Sequence, residues 1–186
     1  ALKVRETFAQ SRSLPVVAPR RTAAALLELG GALSTGAHTR GLGLLAFGLR
    51  RATPRGFGEL VLFGKLASAV EEARVREREW ALGVAARLGF TRGRFALGPA
   101  LGLALVRASA HGLSEDGRSG YATRVSPRLD LALDLRVALA WSLALRFAPA
   151  LELDPIAERY TVERDTLALR HVRLVLPLSL VIGIGS

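Results

Sequence analysis

The chain has 186 residues, half of them hydrophobic, with 26 Lys and Arg against 16 Asp and Glu, a formal net charge of +10 and no cysteine. That length bounds one domain, and the lack of cysteine excludes disulfide scaffolds, thiolate metal sites and cysteine nucleophiles. Apolar residues run through nearly the whole chain, which excludes a disordered polar sequence. The longest charge-free stretches, Leu174–Ser186 and Phe95–Val106, fall well short of the ~20 residues a membrane-crossing helix needs.

Residues 1–21 read as a leading segment or linker, and alternation begins at Thr22. There Ala23, Ala25, Leu27, Leu29 and Leu33 stand against Thr22, Ala24, Glu28 and Ala32. A period of two marks a strand with two different environments, and the first is expected over 22–34. The second, over 38–50, carries Leu42 and Leu44 and then Leu45, Phe47 and Leu49, a parity switch that predicts a β-bulge near Leu44–Leu45. The third, over 57–70, sets Leu60, Leu62 and Leu66 against Glu59, Val61, Phe63 and Lys65. Glu71–Arg78 reads as a solvated, mixed-charge loop.

Strands over 79–91 and 94–107 follow, with Trp80, Leu82, Val84, Leu88 and Phe90, then Phe95, Leu97, Leu101, Leu103 and Leu105, on one face. Arg92–Gly93 is expected as a two-residue turn, putting Phe90 opposite Phe95, Leu88 opposite Leu97 and Val84 opposite Leu101. After a long loop over 107–121, alternation runs unbroken from Val125 to Leu153. Its odd positions are large (Leu129, Leu131, Leu133, Leu135, Leu139, Leu145, Phe147, Leu151), and its even ones are polar or small. This is too long for one strand, so strands 121–133 and 137–150 are expected around a turn at Asp134–Leu135–Arg136, which would set Arg124 opposite Arg146. A second long loop, 151–170, leads to a last strand over 171–186 with Val172, Leu174, Leu176, Leu178, Leu180, Ile182 and Ile184 on one face. A helical reading fails on the same pattern. Apolar residues at every second position would spread around the whole helix, and Gly83, Gly98, Pro99, Gly102, Pro127 and Pro177 fall inside the segments.

Eight strands with long and short connections on opposite ends are what an antiparallel up-and-down barrel requires. The small side chains suit a narrow interior and the bulky aliphatic ones suit lipid, and closure leaves no unpaired edge. The fold class expected is therefore all-β, an eight-stranded antiparallel transmembrane barrel.

At this point the chain resembles the small bacterial outer-membrane β-barrels of the outer-membrane protein A and X type, over roughly residues 22–186. The likeness lies in strand count, loop alternation and the closing strand VRLVLPLSLVIGIGS, which looks like the signal read by the barrel-insertion machinery. It departs at Ser186, where that family usually ends in an aromatic residue. The resemblance implies an outer-membrane location in a Gram-negative envelope, residues 1–21 on the periplasmic side, contact with outer-membrane lipids and a monomer. With no initiator Met in the chain, a processed or excised protein is expected.

No chemistry is legible. His38, His111 and His171 stand near no nucleophile motif, and no His, Asp and Glu cluster has metal-ligand spacing; GLGLLAFG over 41–48 lacks the Lys-Ser/Thr of a phosphate loop. His171 is expected as an interior polar residue. Neither enzyme activity, a cofactor nor a metal is expected, and no nucleic acid either, because stacking aromatics are scarce. Parity puts Glu28, Glu59, Glu79, Arg87, Arg124, Arg128, Asp130, Arg146, Glu152 and Arg173 in the lumen, with Lys65 and Arg94 beside them. Buried charges of this kind are expected to pair. The function expected is a membrane anchor, an envelope-integrity protein or a surface-interaction protein with partners on loops 107–121 and 151–170. The alternatives are a small transport or gated-channel barrel and, behind it, a lipid-modifying enzyme. Arg50, Arg51, Arg55, Arg92, Arg94 and Arg136, joined by Lys3, Arg5, Arg12, Arg20 and Arg21 of the leading segment and opposed only by Glu6 and Asp134, are expected to form a basic rim at the end with the short turns, with mixed charges at the other end.

Overall fold

The computed structural model describes residues 22–35, 39–53, 55–72, 75–113, 119–140, 142–155, 158–162, 165–169 and 172–184. The strands are β1 (Thr22–Thr35), β2 (Arg40–Ala52), β3 (Gly56–Ala67), β4 (Val70–Glu72), β5 (Val75–Arg92), β6 (Phe95–Leu113), β7 (Ser119–Ala140), β8 (Leu143–Phe147), β9 (Ala150–Leu153), β10 (Glu158–Val162), β11 (Asp165–Leu169) and β12 (Val172–Ile184). Antiparallel neighbours run β1-β2-β3-β5-β6-β7, then β8 and β9, then β12, and β12 pairs back onto β1 from Ala25 opposite Ile184 to Thr35 opposite Leu174. Among the described residues this ring has eight staves and no open edge.

One stave is broken in name only. β8 and β9 keep the same offset against both neighbours: Phe147 faces Leu135 and Leu178, and Leu151 faces Leu131 and Leu174. Pro149 interrupts the ladder because it has no N–H. The carbonyl of Pro149 still accepts from Leu133 N, and Ala148 N donates to the Pro177 carbonyl. β4 is a short extension folded onto β5, and β10 and β11 pair only with each other.

Side-chain alternation follows the expected faces. Leu62, Leu82, Leu101, Leu133 and Leu178 are about half exposed on the outside, and Val61, Ala81, Ala100, Ser126 and Val175 are buried inside. Small interior residues such as Ala81, Ala100 and Ala104 leave the narrow lumen room for a limited set of large side chains. The larger ones need a gap opposite: Phe63 pairs with Gly83, where an added Cβ would lie 2.6 Å from the ring and 2.5 Å from the Leu103 carbonyl.

Several local expectations fail. β2 keeps one register throughout, with no bulge at Leu44–Leu45; Leu42 and Leu44 face inward and pack with Val175 and Phe63 in the apolar middle of the lumen. A register shift lies instead between Ala138 and Ala140 at the end of β7. The β5–β6 ladder is displaced by two residues, with Phe90 opposite Leu97 and Val84 opposite Leu103. Its turn is Gly93–Arg94, and Gly93 has φ of 61° at the first central position, where a two-residue hairpin of the primed type places glycine. The shift is even, so Leu97 still pairs with outward residues on both sides. Glu71–Arg78 is not a loop: 75–78 belongs to β5. Nor is 107–121 a loop for most of its length, since β6 and β7 pair out to Leu113 opposite Ser119. Within 151–170, β9 continues the barrel and β10–β11 form a hairpin.

The strand expected over 137–150 also begins later, as β8 at Leu143. β7 runs through Asp134–Leu135–Arg136 to Ala140, and the turn lies between Ala140 and Leu143. Arg124 therefore pairs with Ala108 on β6, and Arg146 pairs with Arg136 and Ser179.

Candidate functional site

The charges that matter fill the lumen in two layers, set there by strand parity. Toward the short turns, Glu28 of β1, Glu59 of β3 and Asp134 of β7 meet Arg87 of β5, Arg136 of β7, Arg146 of β8 and the half-buried Arg50 of β2. Arg146 donates to Glu28 at 2.6 Å and to Asp134 at 3.0 Å, and Ser179 donates to the same Glu28 oxygen at 2.6 Å. Arg87 lies 2.9 Å from Glu28. Arg136 grips Asp134 and Glu59 with both arms of its guanidinium, both bonds from Nη2 being 2.6 Å. Arg50 and Arg136 both lie over the Phe57 ring, with guanidinium carbons 5.0 and 5.1 Å from its centre.

Toward the long connections, Arg40, Lys65, Arg128 and Arg173 face Glu77, Glu79, Asp130, Glu152 and Asp154. Lys65 bridges Asp130 and Glu152 at 2.6 Å each. Arg128 binds Glu79, Glu152 and Asp154 at once, and Arg173 donates to Glu79 at 2.8 Å. Arg40 reaches Glu77 and Glu79.

Each layer contains one like-charge pair directly across a ladder, and each pair is bridged. Arg136 faces Arg146, and Asp134 binds both. Asp130 faces Glu152, and Lys65 binds both. Like charges so placed repel, so the bridging side chain is what lets the ladder close. Taken together, eight cations stand against eight carboxylates, and the named lumen set is neutral.

Between the layers the wall is apolar, with Leu44, Ala46, Val61, Phe63, Ala85 and Ala104 packed together. A cavity of about 60 Å³ remains there, bordered by Lys65 and Asp130 on one side and Arg87 and Arg146 on the other. It has room for a few waters, which suits the Oδ1 of Asp130, a buried oxygen without a hydrogen-bond partner.

Of the residues placed in the lumen from the sequence, Glu28, Glu59, Glu79, Arg87, Arg128, Asp130, Arg146, Glu152 and Arg173 are buried in these two layers. Lys65 joins them. Arg124 is only half buried on β7, toward the long-connection end, and Arg94 is exposed in the hairpin turn. Arg40, Arg50, Glu77, Asp134, Arg136 and Asp154 belong to the layers and were not assigned to them by the sequence reading. For Asp134 and Arg136 the signal was present, since their even numbers share the parity of Asp130 and Arg146; a misplaced turn hid it. Among the described residues the basic rim accordingly shrinks to the exposed Arg51, Arg55, Arg92 and Arg94, and the cations of residues 1–21 lie outside the described residues. His38 and His171 lie outside the described residues, and His111 is exposed on the outer wall. Among the described residues no group of His, Asp and Glu could hold a metal ion.

No protein-family model matches the chain, and no curated protein matches it. Solved structures do. Neisserial surface protein A, from Neisseria, aligns over 86% of this chain and 96% of its own, with a TM-score of 0.57 and 11% identity. A major outer membrane protein from Thermus thermophilus aligns over 88% of this chain and 100% of its own, with a TM-score of 0.57 and 10% identity. Ail, the attachment invasion locus protein of Yersinia pestis, aligns over 87% and 97%, with a TM-score of 0.52 and 9% identity. At these identities the likeness is one of fold, and the fold is the small outer-membrane-type β-barrel.

Proposed function

We propose that this protein is a bacterial outer-membrane barrel with a sealed lumen, acting through its wall and its long-connection end as an anchor, an envelope-integrity element or a surface-interaction protein. The observation that carries the reading is the pair of ion-paired layers across the lumen, under an outer wall whose half-exposed Leu, Phe and Val residues form an unbroken belt. A soluble barrel of this width would reverse that pattern, with apolar residues inside and polar ones outside. Eight staves leave space for side chains and no wide water channel, and here Arg, Glu and Phe side chains take that space. The solved barrels of like fold include proteins titled as surface, attachment-invasion and major outer membrane proteins, which supports a structural or interaction role over a catalytic one.

Conductance tests this. Inserted in a planar bilayer, the protein should give no steady open-channel current. A stable porin-like conductance would refute the sealed lumen. The second reading, a gated path for small solutes, draws on the cavity between the layers. It requires a current in the wild type that rises when Lys65→Gln or Arg146→Gln loosens one layer.

A further inference from the structure

The outer wall carries a charge pattern that the sealed lumen does not use. Residues 76–79 read Arg-Glu-Arg-Glu, and the strand sorts them by sign: Glu77 and Glu79 turn in to the lumen network, and Arg76 and Arg78 turn out. The ladders then set these arginines beside others. Trp80, Arg107 and Val125 form one row across β5, β6 and β7; Arg78, Ser109 and Thr123 form the next; Arg76, His111 and Tyr121 the third. One row below Trp80 stand Leu82, Leu105 and Pro127, the top of the apolar belt. The change from hydrocarbon to guanidinium thus takes a single row.

Arg78 and Arg107 are diagonal neighbours, a spacing of roughly 7–8 Å that long side chains close easily. Both are exposed, as is Tyr121, which stands two rows above Arg107. Among the described residues, the ends of β1, β2, β3 and β12 nearest the long connections carry Thr35, Gly41, Ser68 and Val172 on the outside and no exposed arginine.

We propose that Arg78 and Arg107 form a lipid-phosphate site, with Trp80 and Tyr121 at its edges, for a phosphomonoester-bearing lipid of the leaflet that the long-connection end meets. A guanidinium matches a phosphate in two-pronged geometry, and two of them on one side suit a multiply charged headgroup. The site opens sideways off the wall and continues directly into the belt, so acyl chains below the phosphate would run over Leu82 and Leu105. A soluble polyanion would have no use for that continuity, which favours the lipid. The proposal rests on the membrane-spanning reading above.

The test uses the full chain in detergent micelles, with phosphatidic acid or phosphatidylcholine of the same acyl chains added and retained lipid read by native mass spectrometry. The wild type should retain phosphatidic acid over phosphatidylcholine by roughly tenfold or more, from two arginines near a charged headgroup. Arg78→Gln/Arg107→Gln should lose that preference, and Arg51→Gln/Arg92→Gln, on the opposite rim, should keep it. Circular dichroism and heat-modified gel mobility establish that each variant is a folded barrel. Equal retention of the two lipids by the wild type, or equal loss in both double variants, overturns the proposal. So does tight binding of a soluble sulfated disaccharide without lipid preference, which would give the patch to an external polyanion. Failure of the wild type to insert into vesicles would remove the membrane reading and this proposal with it; insertion without lipid preference removes this proposal alone.

Discussion

Asp134 is the most exacting point of the lumen. It is fully buried and holds Arg136 at 2.6 Å and Arg146 at 3.0 Å, two arginines that face each other across the β7–β8 ladder. Arg87 adds a third guanidinium at 3.9 Å. Replacing Asp134 with Asn keeps the shape and removes the charge, leaving Arg50, Arg87, Arg136 and Arg146 with only Glu28 and Glu59. Breaking a buried ion pair by removing one partner costs about 3–5 kcal/mol, and Asp134→Asn should cost in that range. Arg146→Met should cost less, because its loss orphans nothing: Glu28 keeps Arg87 and Ser179, and Asp134 keeps Arg136. In the double variant Arg136 retains Glu59, so the combined loss should fall short of the sum by about 1–3 kcal/mol. Urea unfolding of the vesicle-inserted protein, followed by tryptophan fluorescence and extrapolated linearly, measures all four corners of the cycle. Additivity to within about 0.5 kcal/mol, or an Asp134→Asn cost below about 1 kcal/mol, would refute the bridge and with it the account of why the ladder tolerates facing arginines.

Three further outcomes follow from the same geometry. Leu101→Arg, in the middle of the outward run on β6, should cost about 2–4 kcal/mol in a bilayer and Phe95→Arg at its end about 0–1; equal small costs would argue for water around the wall. Gly83→Ala should destabilise the barrel by about 1–3 kcal/mol through its clash with Phe63 and the Leu103 carbonyl, and Phe63→Leu should recover only part, since it leaves the carbonyl in place; thermal unfolding reads both. On intact cells, trypsin should cut in the 113–119 connection from outside and leave Arg51 and Arg55 untouched, and the reverse pattern would mean that the barrel sits the other way up.

Period two carried most of the fold. It is a property of the strand itself, so the facing of Leu82–Phe90, Phe95–Leu105, Leu129–Leu133 and Val172–Ile184 could be read without knowing what lay opposite. Register could not be read that way. The β5–β6 ladder moved by two residues, an even shift that keeps Leu97 outward and changes every partner; a pattern of two cannot distinguish such shifts. Turns were misread where an unbroken alternation offered no punctuation, as at Asp134–Leu135–Arg136, whereas Gly93 marked its turn to within one residue. Loop ends are obscured for a related reason: Arg76-Glu77-Arg78 looks like a solvated run by composition and like a strand by parity, and β5 takes it up as strand. Leu42 and Leu44 misled because large aliphatic residues were read as lipid-facing, and the lumen has an apolar middle of its own.

The neutrality of the lumen set bears on where the protein's charge acts. Arg40, Arg50, Lys65, Arg87, Arg128, Arg136, Arg146 and Arg173 are offset by Glu28, Glu59, Glu77, Glu79, Asp130, Asp134, Glu152 and Asp154. The net charge of +10 therefore resides entirely in the rest of the chain. Among the described residues its exposed cations fall at two levels, Arg51, Arg55, Arg92 and Arg94 beside the short turns and Arg76, Arg78 and Arg107 above the apolar belt. The second level lies directly above the end of that belt, where phosphate headgroups of a bilayer would stand. Arginine is suited to that boundary, since its stem can lie along hydrocarbon while its planar head meets phosphate. The alternating glutamates and arginines of β5 supply both needs from one segment: the acids neutralise the lumen, and the bases that the same parity turns outward are left to meet the membrane surface.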